Sequence, residues 1–101
     1  MRRNLNSIRA LKTLTNNYSI CDNSNFLVDA TDHVVTVTLP GAEYFAGKDI
    51  VIKKIDPSAN NVVVVSVSPQ TIDGQSQIII NQQHSAISLI SDGSNWYLIK
   101  E

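Results

Sequence analysis

The sequence predicts an all-β fold, an antiparallel β-sandwich or jelly-roll-like domain assembled as a trimer. Three observations support the fold class. Valine, isoleucine and threonine are abundant, and these β-branched residues favour strands. Apolar residues recur with a period of two from Tyr18 onward, which is typical of strands. Turn residues interrupt these runs at short intervals, as in sandwiches and barrels.

Residues 1–16 are predicted to be an N-terminal linker or the end of a stalk, and residues 17–101 to be a β-rich domain. Leucine or isoleucine recurs at every third position over residues 5–14, which a short helix could hold in one stripe. The segment could equally be extended, with residues 11–15 alternating between two faces. Four of the eight basic residues lie in this segment, as in a solvated leader.

Six strands are predicted after this segment, each a β-branched run that ends at residues with turn chemistry. The loop 40–47 has room for a single helical turn. Asp73, Gly74, Asp92 and Gly93 form two Asp-Gly pairs that tolerate the positive φ of tight hairpins, so these four residues are predicted to be structural. The predicted strands are 34–39, 49–55, 62–67, 78–80, 86–90 and 96–99.

Three of these strands are apolar on both faces, namely Ile50–Ile52, Val62–Val65 and Ile78–Ile80. A domain of 101 residues has little capacity to bury both faces of three strands by itself. The surplus apolar face is therefore expected to meet other copies of the chain, which predicts a homotrimer. The alternative is a compact sandwich in which these strands are central.

Aromatic side chains divide into a structural and a recognition group. Trp96 is in phase with Leu98, so it is predicted to be a structural core residue rather than a ligand platform. Tyr44 and Phe45 lie in the longest loop, and His84 lies in a polar turn. Because recognition concentrates in loops, these three residues are the predicted receptor-binding residues at one end of the domain. In the alternative, Tyr44 and Phe45 turn inward and staple their loop.

The residues offer no catalytic or cofactor constellation, so the chain is predicted not to be an enzyme and to bind no cofactor. No serine lies in a Gly-x-Ser-x-Gly elbow, and Cys21 has no basic neighbour to activate it. Aspartates in turns are expected without catalysis. His33 and His84 lie in separate loops, so no metal site is predicted, although copies of one histidine could converge on an assembly axis.

Charge and hydropathy exclude two classes of partner. The formal net charge is −1 and the pI is about 6.0, so no basic surface is available for a nucleic-acid backbone. The longest apolar run, Val62–Val65, is far shorter than the roughly 20 residues of a membrane span. Neither nucleic-acid binding nor membrane insertion is predicted.

The order of strand and turn motifs resembles the terminal β-domains, or heads, of viral fibre proteins, found in bacteriophage tail fibres and in fibres of large DNA viruses or their virophages. The resemblance covers most of the chain after Tyr18, and its motifs are specific to fold rather than to chemistry. The residues that carry it are 35–40 (VTVTLP), 47–54 (GKDIVIKK), 70–74 (QTIDG) and 89–97 (LISDGSNWY).

This resemblance implies a virion structural protein on the capsid or tail, trimeric, that acts in fibre trimerisation and host attachment. Its implied partners are two further copies of the chain and a host cell-surface glycan or protein. The family contributes no catalytic residues. A stand-alone carbohydrate-binding module without enzymatic activity is the alternative interpretation, and it differs in oligomeric state and in requiring an exposed aromatic platform.

Overall fold

The computed structural model describes residues 10–100, which form two β-sheets around one apolar core. The five-stranded sheet has the order β1-β3-β5-β8-β9, and the four-stranded sheet has the order β2-β4-β6-β7. A short 3-10 turn, Ala42–Tyr44, lies in the loop where a helical turn was predicted. The strands are β1 (Leu11–Leu14), β2 (Tyr18–Ser19), β3 (Asn25–Val28), β4 (Val35–Thr38), β5 (Asp49–Lys54), β6 (Val62–Val65), β7 (Gln77–Ile80), β8 (Ala86–Ser91) and β9 (Trp96–Lys100).

The first six strands alternate between the two sheets, so each pairs in parallel with the strand two places away in sequence. This gives the parallel pairs β1–β3, β3–β5, β2–β4 and β4–β6. Only β5–β8, β6–β7 and β8–β9 are antiparallel. The predicted all-β class is confirmed, but antiparallel pairing is wrong for four of the seven strand pairs. The reason is that each reversal also changes sheet, so the chain returns to a sheet in its earlier direction.

The N-terminal strands extend the domain into the segment that was assigned to a linker. Leu11–Leu14 is extended and pairs with Asn25–Val28, and Leu14 is buried against the core. Residues 10–16 are therefore part of the folded domain, whereas residues 1–9 of the predicted linker lie outside the described residues. Neither β2 nor β3 was predicted as a strand.

Burial alternates along the strands as the period-two pattern predicts. Val62 and Val64 are fully buried while Val63 and Val65 are half-buried, and Ile50 and Ile52 are fully buried on β5. The inward-facing residues of both sheets form a single core. The largest fully buried side chain is Trp96 at the start of β9.

The two Asp-Gly pairs form turns with the expected backbone chemistry. Asp73 and Gly74 have φ values of 50° and 84° between two hydrogen bonds that join Ile72 and Gln75, the pattern of a two-residue hairpin. Gly93 has a φ of 94°. The predicted positive φ is therefore confirmed at these three residues.

Within residues 10–100, no helix is long and apolar enough to cross a membrane.

Candidate functional site

The two aromatic residues of the 40–47 loop point in opposite directions. Tyr44 is 73% exposed at the end of the 3-10 turn. Phe45 is buried, and its ring centroid lies 5.9 Å from that of Trp96. The structure thus leaves only Tyr44 of this pair available to a ligand, while Phe45 packs its loop onto the core.

Four hydrogen bonds hold the loop that presents Tyr44. The buried Ser91 hydroxyl donates to the Ala42 carbonyl at 2.6 Å, and the Trp96 indole donates to the Pro40 carbonyl at 3.1 Å. The Gln70 side chain accepts from the Ala42 amide at 2.8 Å and donates to the Glu43 carboxylate at 2.7 Å. These bonds fix the turn to three other segments, so Tyr44 extends from a braced support.

The Glu43 carboxyl group is stabilised in its charged form by this arrangement. Its own backbone N–H, and next the Gln70 amide, hold the Glu43 pKa below its usual value. The loop therefore carries an ionised carboxylate at neutral pH, on the residue that precedes the exposed Tyr44.

His84 lies at the opposite end of the domain from Tyr44. Its backbone N–H donates to the Lys54 carbonyl at 2.7 Å, just before β8 begins, and it adopts a φ of 70°. The loop that carries Tyr44 is anchored elsewhere, because its Gly47 amide donates to the Ser91 carbonyl, where β8 ends. Six residues of strand separate these points by about 17 Å. The three predicted receptor-binding residues are therefore not brought together, and the predicted single end of recognition loops needs correction.

A buried ion pair that the sequence analysis missed lies beside His84. The Lys54 side chain is fully buried, and its ammonium group donates to Asp56 Oδ2 at 2.7 Å. The same ammonium donates to the Asp56 carbonyl at 3.0 Å and to the Ser58 carbonyl at 3.1 Å. All three donor positions of the ammonium are thus used within the 54–58 turn.

The Asp56 carboxylate joins this turn to the preceding one. Asp56 Oδ1 accepts from the Ala30 amide at 2.7 Å, and Oδ2 accepts from the Ser58 amide and hydroxyl. Burial raises the Asp56 pKa, but the hydrogen bonds from Lys54, Ser58 and Ala30 outweigh it and hold the pKa far below its usual value. The Asn60 side chain adds a bond to the Ala30 carbonyl at 2.8 Å. The polar groups of Lys54, Asp56 and Ser58 bond to one another and to Ala30, so this cluster holds the two turns in contact.

The alternation of inward and outward residues along β5 is the sequence signal that would have identified the Lys54–Asp56 ion pair. Lys54 lies two and four residues after Ile52 and Ile50, which are fully buried, so the alternation directs Lys54 inward. An inward lysine requires an anion nearby. Asp56 follows two residues later.

The remaining titratable candidates are separate from one another. Both ring nitrogens of His33 have partners, the Val34 carbonyl at 2.7 Å and Asn16 Oδ1 at 3.2 Å. Cys21 is an exposed free thiol. Asp92 accepts from the Ser94 and Asn95 amides at the β8–β9 turn. No group of three histidine, cysteine, aspartate or glutamate residues that could hold a metal ion occurs in the described part of the chain.

The outward faces of the two sheets differ in charge. We call the outward residues of the four-stranded sheet the outer valine face; none of its strand residues, all of them described, is charged. Val63 and Val65 there are half-buried, and Ile79 is 48% exposed. The outward face of the five-stranded sheet carries Asp49 and Lys53 on β5. The outer valine face comprises Ser19, Thr36, Thr38, Val63, Val65, Gln77 and Ile79.

No protein-family model matches the chain, and no curated protein sequence matches it either. The functional interpretation therefore depends on the surfaces described above and on the motifs of the sequence.

Proposed function

We propose that this domain is the head of a viral fibre, assembled as a homotrimer on the capsid or tail, and that it acts in fibre trimerisation and host attachment without enzymatic activity. The motif order of the sequence supports the fibre assignment. The outer valine face supports the assembly, and the braced Tyr44 loop supports attachment.

The observation that carries the proposal is the uncharged outer valine face. Complete burial of a valine or isoleucine side chain contributes about 1.5–3 kcal/mol. Val63, Val65 and Ile79 are each only partly covered within one chain. Contact between copies through this face would cover all three and desolvate no charge on its strands. The face that carries Asp49 and Lys53 is less suited to such a contact.

Light scattering at micromolar concentration tests the assembly. The expected mass is about three times the 11.1 kDa of the chain. Val63→Glu places a charge in the outer valine face and is expected to yield monomers. Val51→Glu is the matched control, because Val51 is also half-buried on a central strand but belongs to the other sheet. A monomeric wild-type chain contradicts the proposal, and equal effects of the two substitutions contradict the location of the interface.

The alternative, a stand-alone carbohydrate-binding module, is favoured by one observation. Tyr44 is exposed and its loop is held by side chains from β8, β9 and the 66–71 segment, and an exposed aromatic ring on such a loop is suited to stacking on a sugar. A glycan array with the wild-type chain and Tyr44→Ala tests this. Binding by a monomer that is lost in Tyr44→Ala supports the module, whereas binding only by the trimer supports the fibre head.

A further inference from the structure

The four-stranded sheet lacks a strand that its partner sheet has. The pairs β1/β2, β3/β4 and β5/β6 are successive strands in opposite sheets, and β8 and β7 continue the two sheets by one strand each. The five-stranded sheet then adds β9, with nothing opposite it in the other sheet. Two inward-facing residues are consequently only partly buried, Ile78 on β7 and Leu98 on β9, whereas Ile80 and Trp96 are buried.

The free edge of β7 also has backbone groups without a strand partner. The Leu39 amide donates to the Val65 carbonyl, and the Ser66 amide donates to the Ser76 carbonyl. Because bonding direction alternates along a strand, Ile78 and Ile80 bond to β6, and the N–H and C=O groups of Gln77 and Ile79 point away from it. This edge carries no charge, proline or bulge that would prevent pairing.

An open groove follows this edge along its whole length. One cleft of about 490 Å³ lies between β7 and β9 and is lined by Ile72, Ile78 and Leu98 among others. A second of about 410 Å³ lies at the other end of β7, against Ile80 and Ile87. Ile78 and Ile79 line both clefts. The groove thus combines apolar residues on its floor, among polar ones, with a row of unpaired backbone groups, and these are the two elements by which an extended peptide is bound at a sheet edge.

Neither a second copy of the chain nor residues 1–9 fit this groove. The five-stranded sheet extends by one strand, β9, beyond β7, so the space over β9 has room for a single added strand. A second copy paired through its own β7 would bring its five-stranded sheet into collision with β9. Residues 1–9 contain three arginines and place Leu5 and Ile8 three positions apart, so they lack the alternation that an added strand needs. The cleft between β7 and β9 has apolar residues on its floor and an uncharged edge strand, and the Asp73 carboxylate, which accepts from the Leu98 amide, also lines it. This lining favours a segment with apolar residues at alternate positions and without acidic residues.

We propose that the groove along β7 binds one extended segment of a different protein, which adds as a fifth strand to the four-stranded sheet. Its alternate apolar side chains face Ile78 and Leu98, and its backbone bonds the outward N–H and C=O groups of Gln77 and Ile79. The site is separate from Tyr44, and it does not depend on the proposed fibre function. It shares Gln77 and Ile79 with the outer valine face, but it uses the backbone groups of these two residues at the edge of the sheet.

A fluorescein-labelled hexapeptide of alternating threonine and valine is the probe, and fluorescence anisotropy with the full-length chain is the measurement. We expect saturable binding with a dissociation constant below about 1 mM. The same peptide with its alternate amides N-methylated keeps its side chains but loses backbone donors. It is expected to bind at least about tenfold more weakly. Amide NMR shifts on binding should concentrate at residues 77–81 and at Leu98.

Two variants separate the groove from other surfaces. Leu98→Asp places a charge on the groove floor, while Ile99→Asp, the matched control, places it on the opposite face of β9. Ile79→Pro removes an outward N–H and leaves the bonds of Ile78 and Ile80 to β6 in place. We expect Leu98→Asp and Ile79→Pro to weaken binding at least about tenfold and Ile99→Asp to leave it unchanged. No saturable binding, binding insensitive to N-methylation, or equal loss in Ile99→Asp overturns the proposal, as does a dimer of the chain that protects the Gln77–Asn81 amides.

Discussion

Replacing Lys54 with methionine is expected to destabilise the domain by about 3–5 kcal/mol, because the substitution leaves the Asp56 carboxylate buried without its cation. Methionine keeps the unbranched stem of lysine and so disturbs the surrounding packing little. The Asp56 and Ser58 carbonyls lose a donor as well. Each lost hydrogen bond of this kind contributes roughly 0.5–1.5 kcal/mol, which is included in the range above.

This loss is large relative to the stability of a small domain, which is typically about 5–15 kcal/mol. For a chain of this length, each kcal/mol lowers the Tm by about 4–8 °C, so the Tm of Lys54→Met should fall by more than about 10 °C. Urea unfolding provides the free energy, and the fluorescence of Trp96, the single tryptophan and fully buried, reports it. The midpoint should shift while the slope stays constant.

Lys12→Met is the matched control for this experiment. Lys12 also forms an ion pair, with Asp22 at 2.9 Å, but the two side chains are 37% and 47% exposed. Exposed pairs contribute little because solvent screens them, so this variant should unfold close to wild type. If Lys54→Met costs less than about 1 kcal/mol, or no more than Lys12→Met, the buried cluster does not contribute to stability in the way we infer.

The remaining predictions concern acid stability, the core, one turn and the exposed ring. The lowered Asp56 pKa means that the unfolded chain takes up a proton near the ordinary value of 3.8 while the folded chain does not. Stability should therefore be fully present above about pH 5 and fall as the pH drops towards the folded pKa, and urea titrations over this range should show a smaller slope in Asp56→Asn, in which only the other carboxylates still contribute. Trp96→Ala should cost about 3–5 kcal/mol, or prevent folding, in thermal unfolding followed by circular dichroism. Gly74→Ala should cost about 1–2 kcal/mol in the same assay, because φ is +84° and no neighbouring atom crowds the site. Tyr44→Ala should leave the Tm unchanged, and a drop of several degrees would place the ring in the packing rather than in solvent.

Local chemistry explains which features could be predicted from the sequence. The turn at Asp73 and Gly74 was predictable because the required positive φ is a property of those two residues. The alternating burial of Val62–Val65 follows from strand geometry alone. Phe45 and Tyr44, in contrast, are neighbours of similar chemistry in one loop, and only the position of Trp96 decides which turns inward.

Long-range placement explains what could not be predicted. Parallel pairing of β4 with β6 depends on where β5 lies, and no residue within either strand encodes it. The separation of His84 from Tyr44 depends on the direction of β8 between them. Asn25–Val28 was missed because it is short and, unlike Ile78–Ile80, has only one β-branched residue among its three apolar ones, so its composition does not distinguish it from a loop.

The alternation of the chain between sheets has a consequence for the order of folding. In the first six strands no strand pairs with its neighbour in sequence, and each parallel pair closes a loop of a dozen residues or more, as Leu11 with Asn25 or Val37 with Val64. Such closures are entropically costly and slow. The β8–β9 hairpin instead joins Ser91 to Trp96 across a short turn. We therefore expect the C-terminal hairpin to form early and to act as the template on which β5, β3 and β1 are added in turn, so the amino-terminal edge should be the last region to gain protection from hydrogen exchange.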